Sequence, residues 1–268
     1  MVLRQKNGKY QAYDVNHNYF DHLTAEKCWL LGLFASDGCV SKNNVISIQQ
    51  TEQEDLIQYI KNILLFNGNV IKIMTASGKY AYGIYFSSSK LQKSLSKYNV
   101  VPNKSLIYEF PKNIPTKYLR DFIRGYIDGD GCVTKSQNVK NCKYLSISFV
   151  GTKNFIMHCE SIVPFGPKIQ EIKHAKNCYE LRWYGRKACD FGEWLYSNKK
   201  LFNTKKSSFF FNYVATEKEN TTWFKNLQIK KQILTLLESG ASPMKIAKEL
   251  GIAFQTVYRY KSKFYEKA

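Results

Sequence analysis

Two segments 93 residues apart follow one pattern: LLGLFASDG at Leu30 to Gly38 and IRGYIDGDG at Ile123 to Gly131. Each is an apolar run of helical character with small residues four apart, Gly32 and Ser36 in the first and Gly125 and Gly129 in the second. Residues i and i+4 share a helix face, so each helix offers a flat strip on which a partner backbone can come very close. Gly38 and Gly131 read as the points where the helices end, because glycine readily takes the left-handed conformation beyond a helix C-terminus. Asp37 and Asp130 then face the negative end of the macrodipole, at a cost of roughly 0.3–1 kcal/mol each. Pairing the helices would bring the two carboxylates together, and something positive is expected beside them. A hard divalent cation with oxygen ligands, magnesium first, would relieve the repulsion and offer Lewis-acid chemistry on a phosphate.

The charge balance names a partner for such a centre. The 268 residues carry 40 Lys and Arg against 21 Asp and Glu, a formal charge of +19, which favours a polyanion, nucleic acid before a membrane surface. No apolar stretch approaches the ~20 residues that span a bilayer, and the first residues, MVLRQKNGKYQAYDVN, lack the apolar region of a signal peptide. The expected location is the cytoplasm or the host's DNA-containing compartment. Seven cysteines without a C-x-x-C pair suggest neither a zinc module nor a disulfide framework, but free thiols, most of them buried.

The duplication runs past the nine-residue signature. VISIQQT (Val45 to Thr51) alternates like a strand, EDLIQYIKNILLF (Glu54 to Phe66) is helical, NVIKIMT and KYAYGIYF form a strand pair, and SKLQKSLSKY is a short amphipathic helix. YLSISFV, KNFIMHCESIVPF, PKIQEIK, CYELRWYG and KACDFGEWLY repeat that order. Each repeat reads as α-β-β-α-β-β-α, an α+β class with helices on one sheet face and the other face open. Ile46 and Ile48, then Leu145, Ile147 and Phe149, should face the helices. Ser47, Gln49 and Thr51 in one repeat and Ser146 and Ser148 in the other should line the open face, joined by Lys72, Gln170, Glu180 and Arg182.

The paired segments resemble the LAGLIDADG motif of the homing endonuclease family. Asp37 and Asp130 match its metal-binding acidic residue and Gly32 and Gly125 its central glycine. Its other acidic position is Asp128 in the second copy but Ala35 in the first, and is thought to be structural. The resemblance implies two pseudo-symmetric repeats forming a saddle for duplex DNA, with the open-face residues contacting DNA. It implies Mg2+ or Mn2+ held by Asp37 and Asp130, with the carbonyls of Ser36 and Gly129 as further ligands. A lysine closes each repeat in this family beside the metals, which points to Lys104 and Lys206, with Lys205 a rival for the second.

Beyond Lys225 the character changes. QIKKQILTLLESGASPMKIAKELGIAFQTVYRYKSKFYEKA reads as helices over 228–238, 243–250 and 254–265, with Ser242 capping the second, Pro243 in its first turn and Gly251 ending it. It resembles the helix-turn-helix of DNA recombinases and transposases, and from Lys225 on it carries nine Lys or Arg against three Glu. Gln255, Thr256 and Arg259 should then reach base edges, with Lys261 and Lys263 on phosphates. The domain reading is a first repeat over 1–110, a second over 111–211, a linker over 212–226 and the helix-turn-helix over 227–268. The whole is expected to be a monomeric, metal-dependent homing endonuclease making double-strand breaks in DNA. The alternatives are an intron-splicing maturase acting on structured RNA and a catalytically inactive transcription regulator.

Overall fold

The computed structural model describes residues 13–137, 143–216 and 222–265, so all but the last four residues of the N-terminal stretch weighed above as a signal peptide lie outside them. The first repeat contains α1 (Ala25–Ser36), β1 (Cys39–Val40), β2 (Val45–Thr51), α2 (Glu54–Ile63), β3 (Ile71–Met74), β4 (Tyr80–Ser87) and α3 (Ser89–Ser96). The second contains α4 (Leu119–Asp130), β5 (Cys132–Gln137), β6 (Lys143–Gly151), α5 (Lys153–Ile162), β7 (Lys168–Glu171), β8 (Tyr179–Tyr184) and α6 (Arg186–Tyr196). The repeated α-β-β-α-β-β-α order is therefore present, and the fold is α+β. Each sheet is four-stranded, ordered β1-β2-β4-β3 in one and β5-β6-β8-β7 in the other.

Local chemistry explains the elements. Thr24 caps α1, its hydroxyl accepting from the Lys27 backbone N–H at 3.3 Å, and Ser88 and Thr152 cap α3 and α5 in the same way. In β2, Ile46 and Ile48 are buried, while Gln49 and Thr51 are exposed and Ser47 is half-buried, the alternation of a strand with one covered face. Leu145, Ile147 and Phe149 are buried along β6.

Residues of both repeats fall in one compact unit, and the C-terminal helices in a second. The motif helices of the two repeats, α1 and α4, pack against each other within that unit. Within the expected linker over 212–226, the described residues 212–216 and 222–226 are helical: α7 (Lys205–Thr216) runs into it and α8 (Thr222–Glu238) begins within it. Neither KKSSFFFNYVAT nor TWFKNLQIKK contains a proline or glycine to stop a helix. Helix α7 is also an element that the first repeat lacks, since Lys104 sits in a single 3₁₀ turn, Lys104–Leu106.

In the second unit, α8 is followed by α9 (Pro243–Leu250) and α10 (Phe254–Tyr265). Ser242 accepts from the Lys245 N–H, Pro243 opens α9, and Gly251 ends it at φ 60°. Ile233, Leu237, Ile246, Ala247 and Val257 form the small core.

Candidate active site

Helices α1 and α4 cross at their glycines. A Cβ built on Gly32 would lie 2.0 Å from the Phe122 carbonyl oxygen, and one on Gly125 would lie 1.8 Å from that of Trp29. Any side chain there would push the helices apart. One turn on, a Cβ on Gly129 would meet Ser36 Oγ at 1.9 Å and Asp37 Oδ2 at 2.9 Å. Small residues four apart thus bring the two helix ends together. Gly38 and Gly131 act differently from expectation: neither has a positive φ, and Gly131 is extended at φ −71°. They are glycines because the chain folds back over the last turn, where a Cβ would meet the Phe34 carbonyl oxygen at 2.6 Å and that of Ile127 at 2.5 Å.

This crossing sets Asp37 within hydrogen-bonding reach of Asp130. Burial, then the neighbouring Asp130 carboxylate, pushes the Asp37 carboxyl up to about 6. Opposing that, Gln50 Nε2 donates to Asp37 Oδ2. Sequence reasoning missed Gln50, although the strand period marks it: Ile46, Ile48 and Gln50 share the inward face of β2, and a polar side chain there needs a partner. Gln53 Nε2 in turn donates to Gln50 Oε1 at 3.0 Å.

Neither motif helix has a basic residue in its last turn. The positive charge comes from elsewhere in the chain. Lys104 Nζ donates to the carbonyls of Ser36 at 3.0 Å and Gly38 at 2.7 Å. Lys206 Nζ donates to Ile127 and Asp128 carbonyls, each at 3.1 Å, and to that of Gly129. Burial pushes both ammonium groups down, against the pull of the aspartates that raises them. Lys205 points away, its Nζ 3.4 Å from Glu52 with the side chain 67% exposed, so Lys206 is the counterpart of Lys104. The Ser36 and Gly129 carbonyls, expected as metal ligands, are the acceptors of these lysines, each with a second lone pair remaining.

Among the described residues no cluster of three or more His, Cys, Asp or Glu is suited to a metal. Two adjacent carboxylates, one half-buried and one exposed, with carbonyl oxygens beside them are a hard-oxygen donor set, incomplete without ligands from water or substrate.

Asp128 is structural. It is fully buried and accepts from Trp29 Nε1 at 2.9 Å and Thr204 Oγ1 at 2.8 Å, with Arg124 Nε 3.5 Å away. Arg124 also donates to the carbonyls of Asn198 and Phe202. At the matching point of the first repeat, 93 residues earlier, Ala35 is buried and the counterparts of Trp29 and Arg124 are Phe122, reading forward, and Leu31. An apolar site needs no carboxylate.

The open faces hold most, but not all, of the expected residues. Ser47, Gln49 and Thr51 lie opposite Tyr85, Gly83 and Ala81 on the outward face of the first sheet. Gln170, Glu180 and Arg182 share the outward face of the second, Gln170 opposite Glu180 and Arg182 opposite Ser148. Lys72 must be corrected. It pairs with Tyr82, which pairs with the inward-facing Gln50, so Lys72 lies on the helix side, its Nζ 3.9 Å from the Tyr80 ring centroid. The edge register instead gives the outward face Ile71 and Ile73. Ser146 and Ser148 have the expected orientation but are 1% and 3% exposed, small side chains set opposite the larger Tyr184 and Arg182. The cysteines depart from expectation too. Cys28, Cys159 and Cys189 are buried, but Cys39 and Cys132 are exposed at the starts of β1 and β5, Cys178 is intermediate, and Cys142 lies outside the described residues.

In the helix-turn-helix, Gln255 and Arg259 are exposed on α10, Thr256 and Lys261 are half-buried, and the side chain of Lys263 lies outside the described set. No described helix is long and apolar enough to cross a membrane.

Comparison with known proteins agrees with this division. Residues 117–154 match the model of a LAGLIDADG-like domain, and residues 226–263 that of the helix-turn-helix domain of resolvase. The chain thus carries a LAGLIDADG-like segment holding Asp128 and Asp130, and a resolvase-type helix-turn-helix. Curated protein sequences gave no match. Among solved structures, the LAGLIDADG homing endonuclease I-GzeII in complex with DNA target is similar at 14% identity, covering 76% of this chain and 95% of its own, with a TM-score of 0.49. I-SmaMI bound to uncleaved DNA target in the presence of calcium ions is similar at 12% identity over 76% and 96%, TM-score 0.49. The I-LtrWI LAGLIDADG homing endonuclease bound to target DNA is similar at 11% over 80% and 97%, also at 0.49. Likeness at that level says nothing about what this chain binds or cuts.

Proposed function

We propose that this protein is a metal-dependent DNA endonuclease of the homing type, cutting both strands of a duplex as a monomer. The observation that carries the reading is the meeting of Asp37 and Asp130, two carboxylates delivered by a duplicated motif to one point. A regulator with a dead core would have no reason to keep this costly pair, which disfavours that alternative.

Asp37 and Asp130, with the Ser36 and Gly129 carbonyls in reach, would hold hard divalent cations, magnesium or manganese, which polarise the scissile phosphates. Gln50 fixes the orientation of the Asp37 carboxylate. Lys104 and Lys206 place ammonium groups on either side, suited to offset charge gathering on phosphate oxygens as water attacks. Ser47, Gln49, Thr51, Gln170 and Arg182 would contact the duplex from the sheets, and the helix-turn-helix would add a major-groove contact.

The test is cleavage of duplex DNA spanning the insertion junction of the protein's own gene, with magnesium or with a chelator, beside RNA of the same sequence. The proposal expects a magnesium-dependent double-strand break in DNA. Intact DNA, with magnesium-dependent splicing of the RNA, would replace it with the maturase reading.

A further inference from the structure

The outward strip of α10 is more apolar than phosphate contact requires. Phe254 is 43% exposed and Tyr258 58% exposed, one turn apart, with ring centroids 6.0 Å from each other. With Gln255 and Arg259 they line one shallow concavity. The module's interior does not need them: Val257 of α10 closes the core against Ile233 and Ile246, and neither Phe254 nor Tyr258 belongs to that cluster. These are the first turns of the second helix of a helix-turn-helix, the part that enters a major groove. There the apolar group on a base edge is the 5-methyl of thymine, and glutamine pairs with the adenine edge. Exposed Lys245 and Lys248 on α9 supply charge for phosphates, and the excess of base over acid disfavours a second copy of this chain as the occupant.

We infer that Phe254 and Tyr258 read thymine methyl groups, with Gln255 on a neighbouring adenine, so that the module's part of the target contains A·T steps. The inference rests on the duplex-binding half of the proposed function and is independent of the cleavage chemistry.

The full-length protein is used to select duplexes from a random pool in chelator, and the enriched duplex is remade with deoxyuridine replacing each thymine in turn. At one or more positions, loss of the methyl is expected to weaken binding about fourfold per methyl, the worth of one buried carbon. The Phe254→Ala, Tyr258→Ala double variant should bind the thymine and uracil duplexes equally, with an unchanged salt slope. Phe254→Met keeps an apolar tip and should retain part of the discrimination, which separates lost contact from lost folding. Equal affinity for thymine and uracil at every position, or discrimination surviving in the double variant, overturns the inference. So does a concentration-dependent dimer that the double variant abolishes. Failure to enrich any sequence would instead remove the duplex-binding reading itself, whereas absent cleavage with intact discrimination would remove only the nuclease reading.

Discussion

Lys104 and Lys206 occupy the same place in the two repeats, each ammonium set on the terminal carbonyls of its own motif helix, Ser36 and Gly38 for one, Gly129 and its neighbours for the other. The symmetry holds although the supports differ, a single 3₁₀ turn beneath Lys104 and the first turn of α7 beneath Lys206. The lysines supply the positive charge that both helix ends lack.

Replacing either lysine with Met should therefore act twice. It strands buried carbonyls, with a stability loss of about 1–3 kcal/mol in thermal or denaturant unfolding. It should also lower the cleavage rate on the order of a hundredfold, the scale of one lost charge-stabilising donor, with affinity for DNA falling far less. Parallel losses of rate and affinity would make them phosphate anchors.

Asp37 makes the metal-free fold sensitive to pH. Its carboxyl rises from an ordinary 3.8 to about 6 on folding, so the folded state binds the proton more tightly than the unfolded state. Stability is then fully present below about 4 and is lost as pH rises through about 6, by roughly 3 kcal/mol in all. In chelator, Asp37→Asn should flatten this dependence and melt higher than the unaltered protein at pH 7.5. Denaturant midpoints at pH 4.5 and 7.5 measure both; an equal pH dependence in the variant would contradict the burial argument.

The two repeats should answer differently to changes at the same motif position. Asp128→Ala leaves Arg124 buried and unpaired and should cost about 3–5 kcal/mol. Ala35→Asp restores the motif pattern, yet it should destabilise by a similar amount, because Ala35 is buried and the 93-residue offset gives it apolar Leu31 and Phe122 as counterparts of the Arg124 and Trp29 that hold Asp128. Unfolding curves of the two variants decide this; a stable Ala35→Asp variant would show an unseen partner.

The helices and strands, the crossing glycines and the meeting of the carboxylates were legible in the sequence because they rest on local spacing: i, i+4 for Gly32 and Ser36, period two for Ile46 and Ile48. Lys72 was misread because its face depends on the register of an edge strand with Tyr82, which no pattern within NVIKIMT encodes. The open face of Ser146 and Ser148 was legible, but not their burial there, which is decided by the bulk of the cross-strand neighbours Tyr184 and Arg182. Gln50 was hidden in plain alternation, and its meaning emerged only when β2 was seen to pass beside Asp37. The Gly38 and Gly131 positions were correctly singled out, but their cause is close approach and not a left-handed backbone.

In the proposed function Asp37 and Asp130 jointly form one metal-dependent cleavage centre. It is tested most directly by strand-resolved cleavage of the junction duplex in magnesium by Asp37→Asn and Asp130→Asn, with affinity measured in parallel. Each amide keeps the shape of the carboxyl and removes its charge, so each variant should bind DNA within a few-fold of the unaltered protein and make no double-strand break. Double-strand cleavage at an unchanged rate by either variant would contradict the account.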